Sequence, residues 1–419
     1  MKSSIETVCN NSICVGCGSC VAVCPNNCVT MERNVAGFLR AYVREDTCLH
    51  CGKCVKVCPQ LSVPHGIDNY KEKGYIVYAK DHKIRTKGQS GGAVTALLCY
   101  LFDYNKIDGA VVNQYNSKKN VNEAVYVTNT DAAINSSGSH YTQSGVCKVI
   151  YEHKECEVAA VLLGCQSRSI KLAEERGMLK NVKYKIGLIC DSQYSQLMIK
   201  DLIKQSTLPF SEVESFSWRG GEWPGKVCVK SKNKEVRLKA KHRTKLKSIY
   251  KNSACSLCRD KMNGLADIVC GDPWGISIDN IKEGYSCIIS RTLNGEELLA
   301  NAEKEGYIVT KEIDPKLITQ GQKVNEDYYL NKERIQELFV KKKWVYPEYL
   351  CKKTSDRNGN LDKAQIRQIE FEHEFYNCST EKAVKKMIAR KKRYLKILEF
   401  KKIPRKIIDK YNIKKNGDK

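Results

Sequence analysis

The pattern of apolar and polar positions divides the middle of the chain into short strands and one apolar helix. Apolar runs at residues 75–79, 107–112, 158–163 and 186–189 have the length of buried strands. Between the first two runs, a turn with several glycines leads into apolar residues at helical spacing, namely Val94, Leu97, Leu98 and Leu101. The order strand, loop, helix, strand predicts an α/β domain with an open sheet, in which ligands gather at the carboxyl ends of the strands.

A second pattern at helical spacing lies near the C-terminus and is strongly basic. Residues 381–419 contain 16 basic and 4 acidic side chains, which supply half of the chain's net charge of +24. Up to Pro404 the pattern predicts a basic amphipathic helix, whose apolar residues are Val384, Met387, Ile388, Leu395 and Leu398. This helix could lie on anionic lipid, dock on an acidic partner, or pack on the main domain. Specific nucleic-acid binding is not predicted, because no groove-reading motif accompanies the lysines.

The composition is that of a globular protein with an excess of cysteine. The 419 residues suffice for roughly two to three domains, and 42% apolar residues exclude a disordered or fibrous chain. The N-terminus has no apolar signal-peptide core, and no apolar run is long enough to span a membrane. We therefore expect a cytoplasmic protein, with contact at the inner membrane face only through the basic tail. Thiols stay reduced in that compartment, so the 22 cysteines predict metal binding rather than disulfides.

Eight cysteines near the N-terminus form one spacing pattern twice. Each copy reads Cys-x2-Cys-x2-Cys-x3-Cys-Pro, and the members are Cys14, Cys17, Cys20, Cys24, Cys48, Cys51, Cys54 and Cys58. Three thiolates at three-residue steps wrap one corner of a cubane, and the same loop cannot supply the fourth ligand. The pattern thus predicts two [4Fe–4S] clusters, in which Cys58 completes the first triplet and Cys24 completes the second. Tetrahedral zinc is the alternative, but zinc sites use two separated Cys-x2-Cys pairs.

Four cysteines farther along the chain are candidates for a third cluster. Cys165 and Cys190 each follow an apolar strand-like run, and Cys255 and Cys258 form a Cys-x2-Cys pair. Together these thiols could close a third cubane. The alternative is buried structural cysteine, which explains an isolated residue better than it explains the pair.

The glycine turn before the predicted helix is a candidate phosphate site. Free amides of Gly91, Gly92 and Ala93 at a helix N-terminus, with Arg85 and Lys87 nearby, would suit a pyrophosphate. A Ser-Gly-Gly sequence before a helix is also a common plain cap. The residues alone leave both interpretations open.

Several short runs occur in the order found in the beta subunits of coenzyme F420-reducing hydrogenases and dehydrogenases. They are Gln-Ser-Gly-Gly-Ala-Val-Thr-Ala-Leu-Leu at 89–98, Gly-Ser-His-Tyr-Thr-Gln-Ser at 138–144, Gly-Cys-Gln at 164–166, Gly-Leu-Ile-Cys at 187–190, the Cys-x2-Cys pair at 255–258, and Ala-Asp-Ile-Val-Cys-Gly-Asp-Pro-Trp-Gly at 266–275. Residues 75–320 resemble that family, and the N-terminal pattern resembles bacterial two-cluster ferredoxins. The whole resembles the electron-input subunit of F420H2 dehydrogenases.

This resemblance implies bound FAD with one cubane beside it, and hydride exchange with a deazaflavin. Cys165, Cys190, Cys255 and Cys258 would ligate the cubane. The residues implied for FAD are Ser90, Gly91, Gly92, Ala93 and Thr95. Those implied for the flavin or deazaflavin pocket are Gly138, Ser139, His140 and Tyr141. The resemblance assigns no catalytic residue.

The sequence departs from the family pattern at three points. Leu-Leu-Gly-Cys at 162–165 replaces Gly-Thr-Pro-Cys, Cys-Asp-Ser at 190–192 replaces Cys-His-Gly, and His140 replaces a lysine in Gly-Ser-Lys-Tyr. The thiols are retained, whereas the positive charge beside an anionic deazaflavin is lost.

Three domains are predicted: an α+β ferredoxin-like domain with two [4Fe–4S] clusters at 1–66, an α/β flavin-binding domain at 67–330, and a basic helical extension at 331–419. The predicted function is an iron–sulfur flavoprotein oxidoreductase. It would move electrons between reduced coenzyme F420, or a similar hydride donor, and one-electron carriers through FAD and three clusters. Its partner would be a redox protein or a larger oxidoreductase complex. The alternatives are a ferredoxin-fed flavoenzyme reducing another substrate, for example in cell-surface polysaccharide metabolism, and a non-catalytic electron carrier.

Overall fold

The N-terminal unit carries both cysteine patterns around a small antiparallel sheet. The structure is a computed structural model that describes residues 5–66, 70–347 and 360–401. The elements of this unit are α1 (Ile5–Asn10), α2 (Ser19–Ala22), β1 (Val29–Arg33), β2 (Leu39–Val43) and α3 (Lys53–Lys56). Each cysteine triplet ends in a short helix, α2 or α3, which begins after a glycine in the left-handed region, Gly18 at φ 92° and Gly52 at φ 72°. Glycine adopts this turn without steric cost, so the chain can fold the thiols of one triplet around a single point.

An eight-stranded mixed sheet forms the centre of the second unit. The strands of this unit are β3 (Lys73–Ala79), β4 (Gly109–Asn116), β5 (Val121–Val127), β6 (Val158–Leu162), β7 (Val182–Leu188), β8 (Ser215–Gly220), β9 (Lys226–Ser231), β10 (Lys234–Leu238), β11 (Ile268–Gly271), β12 (Ser286–Ser290) and β13 (Ile308–Ile313). The large sheet has the order β13-β3-β12-β11-β7-β6-β4-β5, and β8, β9 and β10 form a separate antiparallel sheet. Strands β4, β6, β7 and β11 are mutually parallel. Their carboxyl ends therefore meet at one edge.

Helices cover both faces of the large sheet and continue to Lys401, the last described residue. They are α4 (His82–Lys87), α5 (Ala93–Asp103), α6 (Thr130–Asn135), α7 (Val146–Glu152), α8 (Gly164–Glu175), α9 (Leu197–Ser206), α10 (Ala240–Tyr250), α11 (Ala254–Leu257), α12 (Leu293–Lys304), α13 (Pro315–Gly321), α14 (Glu326–Lys341), α15 (Lys363–Tyr376) and α16 (Glu381–Lys401). Helix α14 runs through residue 330, where the sequence suggested a domain boundary. Among the described residues, no helix combines the length and apolarity needed to cross a membrane.

The strands and helix expected in the middle of the chain are confirmed. The four apolar runs correspond to β3, β4, β6 and β7, and the apolar helix is α5. Strand β6 shows why such a run need not alternate: Ala159 and Val161 face the core that contains α5, whereas Ala160 and Leu162 face the core that contains α7. A strand covered on both faces is apolar at every position. The predicted ferredoxin-like unit followed by an α/β unit is thus observed.

The basic C-terminal helix packs most of its apolar stripe on the rest of the protein. Val384 is buried, and Met387, Ile388 and Leu395 pack on a core that contains residues of the N-terminal unit, α9, α10 and α15. Leu398 differs, because it is 36% exposed. The alternative in which the stripe packs on the main domain therefore holds for four of the five predicted positions. Pro404 lies outside the described residues.

Candidate functional site

Four cysteines of the N-terminal unit line one small buried cavity and form the inner set: Cys14, Cys17, Cys20 and Cys58. Each is less than a tenth exposed. Burial, together with the other three thiols, raises the pKa of Cys20. A hydrogen bond with Cys147 lowers the pKa of Cys17 to about 6. Soft thiolates crowded without solvent form a donor set suited to iron, whose positive charge relieves their mutual repulsion.

The remaining four cysteines of the N-terminal pattern line a separate cavity of about 100 Å³ and form the outer set: Cys24, Cys48, Cys51 and Cys54. The outer set lies at the protein surface, since Cys51 is exposed and the other three thiols are half-buried. Cys24 thus lies with the second triplet and Cys58 with the first. This is the grouping that crossed ligation requires.

The third group of cysteines comes together from three separate elements and forms the central set: Cys165, Cys190, Cys255 and Cys258. Cys165 lies in the first turn of α8 just after β6, Cys190 follows β7, and the pair lies in and directly after α11. Burial and the three other thiols of the set raise the pKa of Cys165. The backbone N–H of Gln193 donates to Cys255 Sγ at 3.3 Å. These four thiols therefore fit a further cubane.

The central set lies next to the inner set. The Cys17 thiol contributes to the raised pKa of Cys165, and the fully buried Cys147 neighbours both. Ser169 of α8 donates to the Val57 carbonyl at 2.7 Å, and its Oγ lies 2.7 Å from Ser19 Oγ. Helix α8, which carries Cys165, is thereby hydrogen-bonded to α2 and to the segment after α3, which carry Cys20 and Cys58 of the inner set.

A cavity of about 840 Å³ opens beside the central set at the carboxyl edge of the parallel strands. Eight of the nine residues that the family resemblance implied for FAD or a deazaflavin line it, namely Ser90, Gly92, Ala93, Thr95, Gly138, Ser139, His140 and Tyr141. Cys190 of the central set lines the same cavity. The volume of the cavity is in the range of pockets that enclose cofactors.

The polar lining of the cavity fits a large polar ligand such as FAD. Gln89 Oε1, Ser137 Oγ and Gln193 Oε1 are buried, line the cavity, and have no hydrogen-bond partner in the described part of the chain. Buried polar atoms are nearly always paired, so these atoms indicate a missing partner. Gly138 has φ of 121° and open space at the position of a Cβ, so the backbone leaves room there.

Gly91 and Gly92 are required by packing within the protein. Gly91 lies outside the cavity lining: its N–H donates to Ser286 Oγ at 3.0 Å, and a Cβ would approach the Val77 carbonyl oxygen to 2.5 Å. Gly92 lines the cavity with φ of 70°, but a Cβ there would meet the Ile84 carbonyl oxygen at 2.7 Å. The need for glycine at these positions therefore does not depend on a ligand.

The two cations expected beside a phosphate are engaged elsewhere. The Arg85 guanidinium lies 4.1 Å from the centre of the Tyr78 ring and donates to the Gly284 carbonyl at 2.9 Å. Lys87 Nζ donates to Asn135 Oδ1 at 2.9 Å. A phosphate at the start of α5 would rely on backbone amides rather than on these side chains.

Asp272 is the principal polar residue of the cavity, and the sequence analysis gave it no role. Its carboxylate accepts two hydrogen bonds from Arg219, at 2.6 and 2.9 Å, one from Ser90 Oγ at 2.6 Å, and one from Trp223 Nε1 at 2.8 Å. Burial is the largest single influence on its pKa and acts to raise it, but the hydrogen bonds and charge of Arg219, together with the hydrogen bonds from Ser90 and Trp223, hold the pKa below its usual value. The motif Gly-Asp-Pro-Trp was the sequence feature that could have drawn attention to Asp272. The residues that donate hydrogen bonds to Asp272 lie about fifty residues or more away along the chain.

The positive charge of the cavity comes from residues other than His140. Burial lowers the pKa of His140 to about 4, so its ring is neutral at physiological pH. Arg243, Lys247 and Lys261 line the same cavity. Both lysines lie 3.7 Å from carboxylate oxygens of Asp191. The cavity can therefore attract an anion although the lysine typical of the family is absent at position 140.

The chain matches the two halves of one protein family and, near its N-terminus, two families of iron–sulfur domains. Residues 75–151 match the N-terminal part and residues 156–316 the C-terminal part of the coenzyme F420 hydrogenase/dehydrogenase beta subunit. Residues 13–61 and 40–101 match 4Fe-4S dicluster domains. The iron–sulfur character predicted from the N-terminal cysteine spacing is confirmed by these matches.

Proteins similar to this chain occur in Methanococcus maripaludis, Methanosarcina mazei and Methanocaldococcus jannaschii. The beta subunit of the F420-dependent formate dehydrogenase 1 of Methanococcus maripaludis is 30% identical, over 66% of this chain and 69% of that protein. A subunit of the F(420)H(2) dehydrogenase of Methanosarcina mazei is 24% identical, over 78% of this chain and 95% of that protein. The coenzyme F420-dependent sulfite reductase of Methanocaldococcus jannaschii is 28% identical over 74% of this chain, which spans only 49% of its length.

A solved structure shares the fold. A chain of the F420-reducing [NiFe] hydrogenase complex from Methanosarcina barkeri superposes with a TM-score of 0.51 at 21% identity, over 68% of this chain and 98% of that chain. The names of these relatives do not support a role in polysaccharide metabolism or as a mere electron carrier. On the family matches and the formate dehydrogenase relative, the chain belongs to the family of coenzyme F420 hydrogenase/dehydrogenase beta subunits.

Proposed function

We propose that this chain is an iron–sulfur flavoprotein oxidoreductase that moves electrons between reduced coenzyme F420, or a similar hydride donor, and one-electron carriers. One observation carries the proposal: Cys190 of the central set lines the cavity, and Cys165 of the same set neighbours Cys17 of the inner set. Three four-thiol sets would thus form a series from the cavity to the surface. When bound, FAD exchanges electron pairs with a hydride donor and single electrons with iron–sulfur centres.

The cavity residues would hold the cofactor and orient the donor. Asp272 fixes Ser90 and Arg219 at the wall of the cavity through short hydrogen bonds, so both side chains are preorganised. The unpaired polar atoms of Gln89, Ser137 and Gln193 would pair with the cofactor. Backbone amides at the start of α5 are the candidates for its phosphates.

The cationic side chains that line the cavity favour an anionic hydride donor. Arg243, Lys247 and Lys261 supply cationic groups. The neutral His140 ring adds no charge, and its two nitrogens lie 3.3 Å from Asn122 Oδ1 and 3.4 Å from the Ser136 carbonyl oxygen. Coenzyme F420 occurs in the names of the relatives, which supports a reduced deazaflavin as the donor. A hydride donor of similar charge would meet the same side chains.

The outer set would pass electrons to a partner. Cys51 is exposed and Leu49 beside it is 64% exposed, so a second protein could approach this set closely. Relatives named as subunits of hydrogenases and dehydrogenases support a larger oxidoreductase complex. Peripheral contact with the inner membrane face stays a prediction for the exposed basic side chains of α16.

The proposal is tested by cofactor content and by removal of the Asp272 charge. Anaerobically reconstituted protein should contain about twelve iron atoms, four for each cubane, and one FAD. In Asp272→Asn, Arg219 loses a buried anionic partner, which typically costs about 3–5 kcal/mol, and we expect loss of flavin with the iron retained. Asp279→Asn, an exposed residue of the following loop, is the matched control.

The readouts are the flavin-to-protein ratio by absorbance and the iron content by chemical assay. A parent protein that binds no flavin would refute the flavoprotein part of the proposal. About eight iron atoms in protein kept free of oxygen would refute the third cluster.

A further inference from the structure

Helix α14 lies beyond residue 316, where the family match ends, yet it contacts the segment that carries two thiols of the central set. Lys332 Nζ donates to the carbonyls of Ser256 at 2.9 Å and of Cys255 at 3.3 Å. One turn earlier, Tyr328 Oη donates to the Cys258 carbonyl at 3.0 Å, and its ring lies 5.2 Å from the Lys332 ammonium. The Cys-x2-Cys turn is therefore held by two side chains of one helix face.

The Ser256 side chain of the same turn is held by α15 and by the residue that follows α10. Glu372, which is 2% exposed, accepts a hydrogen bond from Ser256 Oγ. Lys251 Nζ donates to the same Ser256 Oγ at 2.7 Å and lies 3.8 Å from Glu372. The Glu372 carboxylate lies 3.8 Å from Lys251 and also acts on Lys332 at longer range, whereas Lys332 donates only to backbone carbonyls among the contacts described. Its charge is thus directed at the thiol-bearing turn.

We infer that Lys332 is a positioning residue for the central set, which orders the Cys255–Cys258 turn and raises the reduction potential of the cluster held there. The inference rests on the proposed function, because it presupposes a cluster at this set. Reduction adds one negative charge to a buried site, and a cation bound to the ligand turn stabilises the reduced form more than the oxidised form. A cluster beside Lys332 would therefore accept electrons from the cavity more readily.

Potentiometric titration of the central cluster, followed by electron paramagnetic resonance at neutral pH, tests this inference. Lys332→Met keeps the apolar stem without the charge, and we expect a tenfold smaller equilibrium constant for reduction, a fall of about 60 mV in midpoint potential. Lys332→Arg keeps the charge and should stay near the parent value. The matched control is Lys341→Met, because Lys341 is exposed at the end of the same helix. The signal is assigned by its absence from a Cys255→Ser/Cys258→Ser variant.

A second neutral variant covers the case in which Lys332→Met does not assemble the cluster. Lys332→Gln still offers an N–H donor to the carbonyls and should show the same fall in potential. Loss of the cluster in both neutral variants but not in Lys332→Arg also supports the inference. An unchanged potential in a neutral variant with full iron, or loss of the cluster in all three variants, would overturn it. If the parent shows no third cluster, the proposed function fails instead, and the two failures are distinguished.

Discussion

The N-terminal thiol sets and the central set each bring four cysteines together, but the N-terminal sets use residues close in sequence and the central set uses residues far apart in sequence. The inner and outer sets are drawn from residues 14–58, where turns at Gly18 and Gly52 bring each triplet together. The central set is drawn from residues 165–258 and depends on the order of β6 and β7 in the large sheet and on the packing of α11 against α14. A locally encoded site can be recognised by spacing alone, whereas a site assembled by the fold depends on every element that supports it.

The largest expected effect separates the two kinds of set by removing ligands from one of them. Cys255→Ser combined with Cys258→Ser should lower the iron content by about four atoms and leave the N-terminal clusters intact, because no N-terminal ligand is touched. Iron assay and the resonance spectrum of the reduced protein check this. Unchanged iron would mean that the central set holds no cluster.

A variant at Cys58 tests whether the fourth cysteine of each sequence copy belongs to the cluster of the other copy. Cys58→Ser should remove the cluster of the inner set and spare the outer set, although Cys58 belongs to the second sequence copy. Cys28→Ser is the control, since Cys28 is buried 3.3 Å from Cys24 Sγ but lies outside the pattern. If the outer cluster is lost instead, the ligands are not crossed.

A smaller effect tests whether the N-terminal unit is as independent as its local spacing suggests. Val384 of α16 is 3% exposed in the core that it shares with the N-terminal unit, and Ile397 of the same helix is 47% exposed. We expect Val384→Asp to lower the free energy of unfolding by about 3–5 kcal/mol, because it buries an unpaired charge. Ile397→Asp should change it by less than about 0.5 kcal/mol. Urea unfolding measures both, and equal effects would contradict the packing described for α16.

The smallest effect concerns the cavity alone. Burial lowers the pKa of His140 to about 4 from an ordinary value of 6.5, so the unfolded chain takes up the proton first as the pH falls. The stability contributed by the neutral ring is present above pH 6.5 and is lost between about 6.5 and 4. Flavin release followed by fluorescence should increase over this range, and His140→Gln should show a weaker dependence. An identical pH profile in the two proteins would exclude His140 as the cause.

The sequence predicted features that depend on nearby residues better than features that depend on contacts between distant parts of the chain. The spacing of Cys14 to Cys58 was sufficient because each ligand loop is only a few residues long. Strand β6 was predictable because burial on both faces leaves an uninterrupted apolar run, and β7 was predictable from its apolar C-terminal end. The two strands placed Cys165 and Cys190 at one sheet edge. The contacts of Asp272 and Lys332 were not predictable, because their partners are distant in the chain. Gly91 was assigned to a phosphate, although contacts across the sheet require the glycine.

The surface position of Cys51 has a consequence for handling the protein. Dioxygen and chelators would reach a cluster at the outer set first, because Cys51 is exposed, whereas the thiols of the central set are half-buried and those of the inner set are buried. Protein purified in air would lose iron from the outer set before the other two sets. Such material would contain about eight iron atoms and could be mistaken for a two-cluster protein. It would still take up electrons at the cavity, yet it would pass them poorly to any partner.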